Sequence, residues 1–155
     1  MAKVFNVGLI GCGHIAETYF RAHKYFNNFK ITKCADINQK AANKCAKINK
    51  IKAVTIKELL SDTDIKIILN LTIPVAHYKV AKQALLNGKH VYSEKPLAIN
   101  FQDGKKLIKL AKKKKLYVGN APDTFLGGGS QKSRDLLDKK VIGKVIFGNA
   151  IFAYP

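Results

Sequence analysis

Residues Val7–Ala16 read VGLIGCGHIA, an apolar run broken by Gly11-Cys12-Gly13 and resumed at helical spacing. No other segment restricts the fold as much. Lys3–Ile10 has the composition of a buried strand, and Ile15, Tyr19, Ala22 and Phe26 predict a helix over His14–Phe26. A strand, a glycine turn and a helix then set a pattern that the next hundred residues repeat. Strands are expected at Phe29–Ala35, near Ala53–Val54, and at Ile65–Asn70, Lys89–Tyr92 and Leu116–Gly119. Between them, helices are expected at Gln39–Lys47, Ile56–Leu60, Val75–Leu86 and Phe101–Lys115. Asn38 and Asn100 are suited to cap helices, and Gly88 to stop one. Strands alternating with helices at these spacings predict an α/β domain with a doubly wound parallel sheet, the Rossmann arrangement.

The spacing Gly11-x-Gly13-x-x-Ala16 has a chemical reading in that context. Gly11 permits the tight turn, Gly13 lets backbone approach a pyrophosphate, and Ala16 lets the helix pack close to the strand. The helix start at His14 and Ile15 offers unpaired N–H groups to phosphate. An acid is then expected at the end of the second strand, and Asp36 stands there. Its carboxylate suits the two hydroxyls of an adenosine ribose and repels a 2′-phosphate. Ile37 and Asn38 follow it, with no arginine, so NAD is favoured over NADP. Other readings of these residues are a purely structural glycine turn, an acid at a helix N-terminus, and a site for S-adenosylmethionine. The compact glycine spacing and the later segments argue against the last.

Composition adds two constraints. The 28 lysines and arginines against 10 acids give a net charge of +18, which suggests a polyanion surface. Yet only Arg21 and Arg134 are arginines, and the lysines are spread along the whole chain, which fits solvated faces better than a nucleic-acid reader. Cys12, Cys34 and Cys45 show no C-x-x-C spacing and read as reduced thiols with no metal implied. Reduced thiols and the lack of any long apolar run predict a cytoplasmic protein without membrane spans.

By Glu94-Lys95-Pro96 the chain resembles the Gfo/Idh/MocA family of NAD(P)-dependent oxidoreductases, which includes glucose–fructose oxidoreductase and inositol dehydrogenase. Four segments carry the resemblance: Val7–Ala16, the Asp36 turn, LNLTIPVAHYKVAKQALLNGKHVYSEKPLA at Leu69–Ala98, and APDTFLGGGSQKSRDLLDKKVIGKV at Ala121–Val145. The resemblance implies a Rossmann domain over residues 1–121. It implies that 122–155 hold an interdomain helix and the first strand of a substrate domain. It places Thr72, Ile73 and Pro74 beside the cofactor at the end of the fourth strand. Glu94 and Lys95 would lie near the nicotinamide, with the Lys95–Pro96 bond cis. His77 would start the helix behind that loop, and Asn120 would open a loop near the nicotinamide.

Lys95 is the expected catalytic group, since an ammonium can bind a reacting hydroxyl oxygen as hydride leaves the carbon. The family's second domain supplies the substrate pocket and an Asp/His pair, and the chain reaches Pro155 before any such helix. The expected function is therefore the NAD-binding half of a sugar- or polyol-type dehydrogenase, catalytically incomplete alone. A non-catalytic NAD-binding module, regulating a partner, is the alternative.

Asn120–Ser130, with Pro122 and three consecutive glycines, is expected to be a loop, followed by a helix over Gln131–Lys140 and a turn at Gly143. Lys144–Ala153, with Val145, Phe147, Ala150 and Phe152, is expected to be a strand whose open edge recruits a second copy, or to be disordered and protease-sensitive where no partner is found.

Overall fold

The computed structural model describes residues 4–121, 124–151 and 153. Lys3 of the expected first strand, Pro122 of the expected loop and Phe152 of the expected last strand lie outside the described residues. The chain divides into two units, Met1–Ala121 and Pro122–Pro155.

In the first unit the strands are β1 (Phe5–Ile10), β2 (Phe29–Ala35), β3 (Lys52–Ala53), β4 (Ile65–Asn70), β5 (His90–Ser93) and β6 (Val118–Asn120). The helices between them are α1 (His14–Ala22), α2 (Gln39–Asn49), α3 (Ile56–Ser61), α4 (Pro74–Leu86) and α5 (Phe101–Lys114). The strands form one parallel sheet in the order β3-β2-β1-β4-β5-β6. This is the doubly wound order, and the chain reverses its winding direction between β1 and β4.

The strand alternation explains the layers. Val7, Leu9, Ile31 and Leu69 point to a core shared with Ala16 and Phe20 of α1 and Ala46 of α2. Ile10, Ala35, Ile68 and Val91 point the other way, onto Leu59 of α3, Leu85 of α4 and Leu107 of α5. Each such leucine, fully buried, contributes about 1.5–3 kcal/mol. On that second face Gly8 leaves no room for a side chain: a Cβ there would lie 2.8 Å from Leu59.

Local chemistry sets the ends of these elements. The Asn38 side chain accepts from Lys40 and Ala41 N–H, Asn100 accepts from Asp103 N–H, and Thr55 with Glu58 forms a capping box. Gly88 leaves α4 at φ 73°. The first helix is shorter than its periodicity predicts. It stops at Ala22, tightens into a 3-10 turn over His23–Tyr25, and leaves Phe26 exposed and stacked on Phe29.

The second unit departs further from expectation. Its helix, α6, spans Gly128–Asp138, so two of the three glycines expected in a loop open a helix instead. A 3-10 turn at Thr124–Leu126 precedes it. The expected strand does not form: the described residues from Lys144 onward make no ladder. A strand needs a paired neighbour for its N–H and C=O groups, and the described residues provide none. No helix among the described residues is long and apolar enough to cross a membrane.

Candidate functional site

In a parallel sheet all C-terminal strand ends share one edge, and ligands of doubly wound folds bind there at the reversal point. The exits of β1, β2, β4, β5 and β6 carry the residues singled out from the sequence.

At the exit of β1, Gly11 has φ +102°, and a Cβ there would sit 2.5 Å from the carbonyl of Leu71. Glycine is required by the backbone conformation and by the close approach of the β4 exit, where Leu71 N–H donates to Ile10 C=O at 2.8 Å. Gly13 faces open space: a Cβ added there would meet no described atom within 4 Å. His14 and Ile15, both exposed, open α1; Ala16 N–H donates to Gly13 C=O at 3.1 Å, which leaves the amides of His14 and Ile15 without an acceptor among the described residues. An open glycine beside a nine-residue helix with unpaired amides fits a phosphate group.

Asp36 closes β2 next to this loop. Its Oδ2 accepts Cys12 N–H at 2.7 Å and its Oδ1 accepts Asn38 N–H at 2.8 Å. The two backbone bonds fix the carboxylate plane. Each oxygen keeps a further lone pair, so two acceptors remain for vicinal hydroxyls.

The exits of β4, β5 and β6 are tied by a buried polar network. Asn70, fully buried, donates to His77 C=O at 3.0 Å and to Ser93 Oγ at 3.1 Å. Thr72 Oγ1 donates to Asn70 Oδ1 at 2.7 Å. The His77 ring is also buried, and its two nitrogens contact the carbonyls of Pro96 (2.6 Å) and Thr72 (2.8 Å). That ring is engaged within the chain, and it joins the loops after β4 and β5. Ile73 and Pro74 stay exposed at the start of α4, with proline at the first helical position.

Glu94 follows β5. Tyr19 Oη donates to its Oε1 at 2.9 Å, and Lys95 N–H donates to its Oε2 at 3.0 Å. Asn120 Nδ2 donates to the carbonyls of Ser93 (2.9 Å) and Glu94 (3.0 Å). The Lys95–Pro96 peptide is cis. Lys95 is exposed, and no ion pair among the described residues involves it.

The structure thus gathers Gly11, Gly13 and Asp36 at one end of the edge, and Thr72, His77, Glu94, Lys95 and Asn120 at the other. Sequence reasoning missed Asn70, Ser93 and Tyr19. Asn70 had a signal, an amide closing the apolar strand IKIILN. Tyr19 had none, since its position on α1 reads as one more apolar contact.

The order of the sheet, the glycine loop and the acid after β2 define a dinucleotide-binding Rossmann domain. The family model described as "Oxidoreductase family, NAD-binding Rossmann fold" matches residues 5–121, and the chain belongs to this Gfo/Idh/MocA family. The inositol 2-dehydrogenase/D-chiro-inositol 3-dehydrogenase of Lactiplantibacillus plantarum is 29% identical over 92% of the chain and 42% of its own length. Biliverdin reductase of Synechocystis, solved with biliverdin and NADP+, superposes with a TM-score of 0.78 at 29% identity, covering 86% of this chain and 43% of that one. GenD2 of gentamicin biosynthesis, solved with NAD, has a TM-score of 0.85 at 16% identity over 91% and 41% of the two chains. The chain spans 24% to 46% of the length of the curated relatives it matches. It is the NAD-binding Rossmann domain of this oxidoreductase family, and the solved structures that share its fold include NAD and NADP complexes.

Proposed function

We propose that the chain binds NAD in preference to NADP and forms the cofactor half of an oxidoreductase acting on a sugar- or polyol-type alcohol. The observation that carries the cofactor choice is the Asp36 carboxylate, fixed by Cys12 and Asn38 N–H with two acceptors to spare. Two hydroxyls of a ribose would satisfy those acceptors. A 2′-phosphate would meet a negative charge with no arginine beside it. The α1 amides at His14 and Ile15 would hold the pyrophosphate. The bound dinucleotide would supply the hydride donor or acceptor at C4 of its nicotinamide. Lys95 would hold the substrate oxygen and exchange its proton, while Glu94, steadied by Tyr19, and Asn120 would keep that loop in place.

Lys95 lies exposed on this chain, whereas hydride transfer needs a water-excluded and oriented site. Binding without turnover is therefore expected of the 155-residue chain. Calorimetry with NAD+ and NADP+ tests the cofactor choice. NAD+ should bind at least about tenfold more tightly, a difference of ~1.4 kcal/mol. Asp36→Ala should weaken NAD+ and shrink the difference. Equal or tighter NADP+ binding by the unaltered chain would overturn the assignment.

A further inference from the structure

Cys12, Cys34 and Cys45 are far apart in sequence, and the fold brings them together. Parallel pairing of β1 with β2 sets Leu9 beside Cys34 and Ile10 beside Ala35, and past the strand end the glycine turn brings the Cys12 Sγ to 3.6 Å from the Ala35 carbonyl. Helix α2 packs against β2 and adds Cys45. Their three sulfur atoms lie within 4.8 Å of one another, and all three are free thiols. Cys34 and Cys45 are buried in the apolar core with Leu9 and Ile31, and Cys12 is half-buried at the surface loop. Asn49 Nδ2 lies 3.8 Å from Cys45 Sγ and can donate to it.

We propose that these three sulfurs form a binding site for a soft monovalent metal ion, Cu(I), in trigonal coordination. Three arguments select that ion. The donors are all sulfur, which soft cations prefer over harder ones. The group has three members among the described residues, with no fourth histidine, cysteine or carboxylate, whereas structural zinc is almost always four-coordinate. The spacing is also close to what is needed. A metal about 2.3 Å from each of three sulfurs sets them about 4 Å apart, so side-chain rotation closes the triangle.

Binding exchanges the thiol protons for the cation: three S–H bonds break, three Cu–S bonds form, and three protons leave to solvent. The excess negative charge of three thiolates around one monovalent cation falls within a chain of net charge +18. Half-buried Cys12 provides the entry path. The site shares Cys12 with the glycine loop, where its N–H donates to Asp36, but takes only its sulfur, so copper uptake without NAD+ present tests this proposal apart from the cofactor reading.

The test is a titration of the reduced full chain with Cu(I) held by bicinchoninate, without oxygen. One equivalent should pass to the protein, with a thiolate-to-copper absorption band and three sulfur neighbours by X-ray absorption. Cys45→Ala should lower the affinity at least about 100-fold, since loss of a ligand should exceed the ~10–100-fold that loss of an outer-shell partner costs. Alanine suits its helical position, and circular dichroism checks that the fold is kept. Cys12→Ser, at the loop, serves if the first variant fails to fold. Failure to take copper from the chelator would overturn the proposal. So would two-sulfur coordination, or undiminished uptake by the folded variants.

Discussion

Leu107 and Leu136 are both leucines on the apolar stripe of a helix, yet Leu107 is fully buried and Leu136 is 38% exposed. Helix α5 lies on a sheet, and Leu107 packs there with Ile68, Leu85 and Val91. No described residue of the second unit is buried, and α6 has no side-chain cap at Gly127. Val145, Ile146, Phe147 and Ile151 are exposed as well. In the first unit Asp62 ties distant segments through Lys33 of β2, although Asp103 pairs with Lys106 along its own helix. The carboxylates of α6 pair three or four residues along the same helix. An amphipathic pattern specifies a face to be covered, and only the first unit contains the cover.

The sharpest way to break this contrast is at glycine. Gly11→Ala puts a Cβ against the Leu71 carbonyl at φ +102°, and should destabilise the first unit by about 4 kcal/mol through strain and overlap. Gly128→Ala, at a position with no neighbour within 4 Å, should leave the free energy of urea unfolding within about 0.5 kcal/mol of the original. Equal effects would mean that the two units unfold as one body.

Leucine gives the next largest difference. Leu107→Ala should cost about 3 kcal/mol in urea unfolding, from lost transfer energy and a residual cavity. Leu136→Ala should change it by less than about 0.5 kcal/mol. A large loss at Leu136 would show that α6 is covered in solution.

The smallest effect is electrostatic. The Lys33 ammonium and the Asp64 N–H hold the Asp62 carboxyl below the usual carboxylate range. Its folded value is depressed, so its contribution is present above the unfolded value near pH ~4 and is lost as pH falls through the folded value. Asp62→Asn should therefore flatten the fall in urea midpoint between neutral pH and about pH 3. An unchanged slope would remove the Lys33 pair from the account.

What could be read from the sequence follows the same division. Phe29–Ala35 and Ile65–Asn70 form strands over the expected residues, because β-branched and apolar runs of that length have a buried sheet to enter. The glycine turn and the acid after β2 could be read as a pattern because their spacing runs along one strand–turn–helix–strand stretch, whereas the bonds that hold them, from Cys12 to Asp36 and from Leu71 to Ile10, could not. The Asn70–His77–Pro96 network was not, since it depends on which strand ends lie side by side. The cysteine cluster was hidden for the same reason. Lys144–Ala153 has a strand's alternation without a partner strand, and alternation alone does not make a ladder.

Amide hydrogen exchange on the full chain, with and without NAD+, tests the central claim, that the dinucleotide site belongs wholly to the first unit. Exchange should slow at Gly11–Ala16 and at the segments after β4 and β5, and stay unchanged over 124–151. Protection appearing in α6, or none at the glycine loop, would contradict it.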